Sequence, residues 1–253
     1  AKRWNCSVVR AVVRVHGEAG YLEQPEEQRQ RVSRVVDAAL EFGIYVVVDW
    51  HTSQAEDYVT EAVFFFADIV SRYGSTPNVL FEIYGRPVAS DWAADIKPYA
   101  ETIANVIRRT GCPNLLIVGT STWNQDVDEA ARDPIDDVEN LAYALHFSAR
   151  THQGWLRDKA SVALDAGAAL FVSQWSATYA TGDGDPDPEA SRDWIDFLDA
   201  RKISHINWHV DGGDDDASAL LPGTDATNPA GWTLENFSPS GVLVLRFLSS
   251  SYY

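Results

Sequence analysis

Seven short runs of β-branched and aromatic residues, each separated from the next by a stretch of helical spacing, constrain this chain more than any other feature. They are SVVRAVV (7–13), IYVVVDW (44–50), NVLFEIY (78–84), NLLIVGT (114–120), LAYALHF (141–147), ALFVSQW (169–175) and SHINWHV (204–210). Most are apolar almost throughout rather than alternating, as expected of strands buried on both faces in a parallel sheet. The spacing predicts helices near 25–42, 55–74, 91–110, 152–167, 188–201 and 238–249, and STPNV and GCPNL read as turns where helices end. Such alternation builds either a doubly wound open sheet or a (β/α)8 barrel. The open sheet would bind a nucleotide through a Gly-rich first turn, and no GxGxxG or P-loop follows any run. The expectation is an α/β chain folded as a (β/α)8 TIM barrel lacking its first strand and helix, a single domain over 1–253.

The bulk composition narrows the partners. A chain of 253 residues that is 45% hydrophobic suffices for one such core. The 37 acidic against 20 basic residues leave a formal net charge of −17. That argues against nucleic acid, whose backbone demands a positive footprint. No apolar run reaches about eighteen residues, so no membrane span is expected. No signal peptide is visible, and the abrupt start at AKRWNCSVVR leaves room for upstream residues. The run Asp214, Asp215, Asp216 reads as a solvated loop without EF-hand spacing. Cys6 and Cys112 precede the first and fourth runs, too far apart in a barrel to bridge, and are expected to be free. The triplets at Asn5 and Asn236 fit a sugar-acceptor pattern that also arises by chance. No cofactor is expected.

Chemistry in a barrel gathers at the C-terminal ends of its strands. Read in order, those ends carry Arg10 and Arg14, Asp49 and His51, Gly85 and Arg86, Trp123, His146 and Ser148, Gln174 and Ser176, and Trp208 and His209. Histidine, tryptophan and arginine abound there, and carboxylates are few.

At these residues the chain resembles glycoside hydrolase family 5, in its branch of bacterial endo-β-1,4-glucanases (cellulases). VVDWH, NVLFEIY, IKPYAE, LLIVGTSTWNQDVDEA, YALHF, LRDKA, LFVSQW and NW fall in that family's order and spacing. The resemblance implies a retaining β-glycosidase barrel, a polysaccharide cleft across its top, an oligo- or polysaccharide partner and a secreted protein. It also implies that the barrel is open where the first βα unit would stand, so that a partner chain or a missing N-terminal segment completes it. The family carries Asn-Glu-Pro after its fourth strand and Thr-Glu-Trp-Gly after its seventh. Here the same places read Gly85-Arg86-Pro87 and Ser173-Gln174-Trp175-Ser176. The resemblance therefore puts Arg86 at the acid/base position and Gln174 at the nucleophile position. It puts Gly85 where an Asn would hold the sugar's 2-hydroxyl, and Ser148 where a Tyr would stand. Arg10, His51, His146 and Trp208 match positions that orient the nucleophile and seat the sugar.

Retaining hydrolysis needs two carboxyl groups. An amide oxygen is a very poor nucleophile, and a guanidinium neither gives up nor takes a proton at working pH. The expectation is a cellulase-like barrel that has lost glycosidase activity and binds a β-glucan or anionic glycan. Trp208, Trp123 and Trp175 would offer ring faces, while Arg14, Arg86 and Arg150 would favour anionic sugars. The competing reading of these arginines is that they neutralise neighbouring Asp and Glu. Glu82, deep on its strand, and Asp49, near His51, are expected in hydrogen-bonded roles. Two alternatives remain. The altered positions Arg14, Arg150, Ser176 and His209 fit a cleft repurposed, naturally or by engineering, for another reaction. Ser148 or Ser176 beside His146 or His209 would then serve acyl transfer, although no GxSxG elbow is visible. An open barrel would alternatively serve assembly through its edges. His51, His146 and His209 each have a sugar-site or packing explanation, and no metal is expected.

Overall fold

The computed structural model describes residues 4–225 and 227–250. Among them are seven strands: β1 (Val8–Arg14), β2 (Tyr45–His51), β3 (Val79–Glu82), β4 (Leu116–Val118), β5 (Leu141–Ser148), β6 (Leu170–Ser176) and β7 (His205–Asn207). They follow one another in chain order within one sheet. The pairings of β1 with β2, β2 with β3, β3 with β4, β4 with β5 and β6 with β7 are parallel. The α-helices are α1 (Pro25–Glu41), α2 (Val59–Tyr73), α3 (Lys97–Arg109), α4 (Ser121–Asn124), α5 (Val127–Arg132), α6 (Gly154–Asp165), α7 (Pro188–Arg201) and α8 (Pro239–Ser250). Every predicted strand and helix is present. β4 and β7 are shorter than their apolar runs, and α4 and α5 were not anticipated. The predicted helix over 91–110 begins as a π turn at Trp92–Ile96, capped by the Asp91 carboxylate on the Ala94 N–H. Lys97 N–H reaches back to the Trp92 carbonyl, a wide turn ahead of Pro98, which has no N–H to offer.

The chain divides into two compact units. The larger takes Ser7–Leu145 and Lys159–Phe171. β2 is one of its inner strands, with Val46, Val47, Val48 and Trp50 fully buried, so both faces are packed. Trp50, Tyr21, Phe65 and Phe66 meet edge-on or tilted at centroid distances of 5.1 to 6.2 Å, the geometry that the ring quadrupole favours. β1 is less covered. Val12 and Val35 remain 37% and 40% exposed, and with Arg14, Arg31 and Val32 they line a groove of about 320 Å³ between β1 and α1.

The smaller unit takes the described residues of Ala1–Cys6, His146–Asp158 and Val172–Tyr253. Its core is a stack in which Phe147 lies 3.9 Å from Trp194 and 5.7 Å from Trp175. The Trp194 indole N–H donates to the His152 carbonyl, which satisfies the polar end of a buried ring. Helix α7 starts where Asp187 accepts from the Glu189 and Ala190 N–H groups, with Pro188 in its first turn. Neither Cys6 nor Cys112 forms a disulfide among the described residues.

Because Phe65 is fully buried among aromatic rings, Phe65→Ala should destabilise the protein by about 3–5 kcal/mol, read as a lower urea midpoint at an unchanged slope.

Candidate functional site

The strand ends of the larger unit are organised around one guanidinium. Arg10 on β1 points its Nε at Glu82 of β3 (2.6 Å) and its Nη2 at Asp49 of β2 (3.1 Å). Its side chain is 4% exposed, and both carboxylates are fully buried. Parallel register brings these three together, because Asp49 pairs with Glu82 on one side while Arg10 lies two residues below Val12, its partner on the other. The Asp49 Oδ2 also meets His51 Nδ1 at 2.8 Å, which orients the imidazole. Burial, then the Glu82 charge, push the Asp49 carboxyl above the usual range against the pull of Arg10 and His51. Burial alone would lower Arg10, but Asp49 and Glu82 outweigh it and hold the guanidinium above its ordinary value. The expected hydrogen-bonded roles of Glu82 and Asp49 are what this unit displays.

Gly85 sits over this cluster. A Cβ at residue 85 would stand 1.9 Å from Asp49 Oδ1 and 3.0 Å from Arg10 Nη2. That Oδ1 is buried and has no hydrogen-bond partner among the described residues. Position 85 is therefore not an empty slot: Asp49 occupies the room, and only glycine permits so close an approach. The backbone around it is tied on both sides. Gly85 N–H donates to the Trp50 carbonyl at 3.0 Å, and Asn124 Nδ2 donates to the Gly85 carbonyl at 2.9 Å. Trp123 N–H donates to the Pro87 carbonyl at 2.7 Å. Arg86, between them, is exposed.

Trp123 is presented by an unusual turn. Thr122, Trp123 and Asn124 have φ of 53°, 55° and 62°, a left-handed conformation that costs a non-glycine residue roughly 1–2 kcal/mol. The turn is held by Asn124, whose Oδ1 accepts from the Thr120 N–H at 2.7 Å. It leaves the indole 44% exposed. Residues held in sparsely populated backbone regions gather at binding and catalytic sites.

In the smaller unit the predicted residues are paired off locally. His146 is buried with its Nε2 2.7 Å from Ser173 Oγ. Ser176 Oγ donates to Ser148 Oγ at 3.0 Å. Gln174 is half-buried on β6, and Trp208 is half-buried after β7. His209 lies between two carboxylates, Nδ1 at 2.8 Å from Asp211 and Nε2 at 3.2 Å from Asp215, with Ser218 Oγ within 3.3 Å of the same nitrogen. Burial works upward on Asp215, but hydrogen bonds from His209 and Ser218 outweigh it and hold its carboxyl below the usual range.

These placements correct several expectations. Trp175 offers no ring face: it is 1% exposed, packed against Phe147, with its N–H on His205 Nδ1. Ser176 is bonded to Ser148 rather than to His209, and Ser218, which does reach His209, is 1% exposed and also lies 3.1 Å from Asp211 and Asp215. A hydroxyl so enclosed is a structural tie rather than a nucleophile. No group of three potential metal ligands converges among the described residues. Arg14 and Arg86 are exposed, and neither these two nor Arg150 forms an ion pair among the described residues. Arg150 instead donates to the Asp185 carbonyl at 2.8 Å and lies 4.4 Å over the Tyr179 ring, so neutralisation of neighbouring carboxylates does not account for any of the three. Asn124, Ser173 and Ser218 were missed as site residues, since a polar residue in a loop or strand carries no local mark of the partner it meets.

Comparison with known proteins adds to this geometry. Residues 1–214 match the model of the family Cellulase (glycosyl hydrolase family 5). Endoglucanase A of Evansella cellulosilytica is 43% identical over 253 residues, covering 98% of this chain and 51% of its own. A solved structure from Cytophaga hutchinsonii superposes with a TM-score of 0.93 at 40% identity, covering 97% of this chain and 79% of that one. A Glu-to-Gln variant of the Thermobifida fusca endoglucanase Cel5A catalytic domain, in complex with cellotetraose, has a TM-score of 0.91 at 30% identity, covering 98% and 83%. The chain spans about half the length of the curated relatives it matches. The fold is thus that of the (β/α)8 barrels, with seven strands among the described residues. No helix among them is long and apolar enough to cross a membrane.

Two outcomes follow from the site. Gly85→Asn should displace the Asp49 carboxylate and cost about 1–3 kcal/mol, as overpacking does. The loss should shrink in an Asp49→Ala background when urea denaturation is compared around the double-mutant cycle. A depressed carboxyl contributes stability that is present above its unfolded pKa and lost as pH falls through the folded one. Asp215→Asn should therefore lower the melting temperature at pH 7, by an amount that fades below about pH 4.

Proposed function

We propose, for a chain that belongs to the cellulase family, glycosyl hydrolase family 5, that it binds a β-glucan-type polysaccharide without cleaving it. The observation that carries this reading is the pair of residues at the family's two carboxylate positions, Arg86 and Gln174. Hydrolysis with retention runs through a carboxylate that attacks the anomeric carbon and a carboxylic acid that protonates the leaving oxygen. Gln174 has the shape of the first without its charge. Arg86 holds its proton far above any working pH, so it protonates no leaving group and activates no water.

Binding outlasts the loss of chemistry when the surfaces that touch sugar remain. Trp123 keeps an exposed ring, Trp208 a half-exposed one, and His51 is oriented by Asp49. A related catalytic domain with glutamine in place of a glutamate is found with cellotetraose, which supports retention of ligand by an uncharged site. We also propose, by family, an extracellular location.

A second reading, assembly through the edge of β1, is favoured by the groove that leaves Val12 and Val35 exposed. An extended segment from elsewhere in the full-length protein, or from a partner chain, would add a strand there.

The purified chain should show no hydrolysis of an aryl cellobioside or carboxymethylcellulose above a mock preparation, and turnover would refute the reading. Restoring both carboxylates, Arg86→Glu with Gln174→Glu, while keeping Gly85 for Asp49, should bring hydrolysis back. Either single variant should stay inactive, since each lacks one partner.

A further inference from the structure

The rim of the larger unit carries a second message, about the charge of the ligand. We propose that Arg86, assisted by Arg14, forms a site for an anionic group, a carboxylate or sulfate, borne by the glycan. This rests on the reading above, that the chain binds a polysaccharide.

Arg14 pairs in register with His51, and Asp49 pairs with Glu82, which brings His51 level with Tyr84. The Gly85 N–H on the Trp50 carbonyl continues that alignment past the end of β3. Adjacent strands lie about 4.8 Å apart, so Arg14, His51 and the Gly85-Arg86 segment stand side by side on one rim, their backbones within about 10 Å. Two of the three carry a permanent positive charge.

Neither arginine is used by the protein itself. In a chain with 37 acidic residues, Arg10, Arg31, Arg72, Arg132 and Arg157 each meet a carboxylate. Arg14 and Arg86 are exposed and have no hydrogen bond, ion pair or ring contact from their side chains among the described residues. The carboxylates beneath the rim, Asp49 and Glu82, are fully buried and already committed to Arg10, so they do not draw Arg86 inward.

Arg86 is also held ready. The carbonyls on either side of it are fixed by Asn124 and by the Trp123 N–H, and its α-carbon has little freedom left. A planar guanidinium on a fixed stem matches the two oxygens of a carboxylate or sulfate, and the entropy cost of ordering the loop has been met in advance. The exposed Trp123 ring, tied to the same loop through Pro87, supplies an apolar face for the sugar that bears the charge. An arginine at this place thus does more than abolish an acid: it changes what the rim selects.

The test is affinity electrophoresis of the purified chain at low ionic strength, in gels containing hydroxyethylcellulose, carboxymethylcellulose or cellulose sulfate. The two anionic polymers should retard it at concentrations about fivefold or more below the neutral one, the scale of one exposed charge pair. Added salt should erase that difference. In Arg86→Gln the ratio of anionic to neutral affinity should fall to about one; Arg86→Lys should keep part of it, having charge without the fork. Equal melting temperatures would establish that both variants fold. Stronger retardation by carboxymethylcellulose than by cellulose sulfate would assign a carboxylate, the reverse a sulfate. Equal retardation of the wild type by neutral and anionic polymers, or a ratio unmoved by Arg86→Gln, would overturn the proposal and leave glucan binding standing. No retardation by any of the three would overturn glucan binding itself, and this inference with it.

Discussion

One guanidinium between two buried carboxylates sets the geometry of the larger unit's rim. Arg10 ties β1 to β2 through Asp49 and to β3 through Glu82. Removing one partner from such a buried pair typically costs about 3–5 kcal/mol, because the charge left behind has neither water nor a counter-ion. With its position so dictated, Asp49 does two further things. Its Oδ2 orients His51, and its Oδ1 fills the space over which residue 85 must pass. The glycine in the loop after β3 is a consequence of that carboxylate, and the display of Arg86 follows from the way the loop is tied beyond it.

The chemistry of the strand ends separates into groups that are spent and groups that are free to act. Arg10, Asp49 and Glu82 neutralise one another. His146 meets Ser173, Ser176 meets Ser148, and His209 meets Asp211, Asp215 and Ser218. A serine hydroxyl or imidazole engaged in this way has little left for a substrate, which weakens any acyl-transfer chemistry on this scaffold. Arg14, Arg86 and Trp123, by contrast, are open to solvent.

Membership of the cellulase family is a statement about fold before it is one about a reaction. Fold and site are separable, since most of the core of a barrel of this type is buried valines, aromatic clusters and helix packing away from its exposed rim. Exposed residues at the rim, such as Arg14 and Arg86, can vary while Val46, Trp50, Phe65 and their neighbours remain packed.

The sequence alone determined the order and kind of the main elements, because continuous apolar runs such as YVVVDW and the helical spacing between them are local signals that burial then enforces. It also determined which residues reach the strand ends, since these are read from neighbours in the chain. The short helix α5 escaped it, as did the left-handed turn at Thr122–Asn124 in α4, which is held by contacts from Thr120 and Pro87. Only the tertiary structure decided that Trp175 is core, that His209 belongs to its own loop, that Gly85 yields its room to Asp49, and that Arg14 and Arg86 meet no carboxylate among the described residues. Each of these depends on which side chain meets which across tens of residues, a matter of distance and burial that no local pattern of residues encodes.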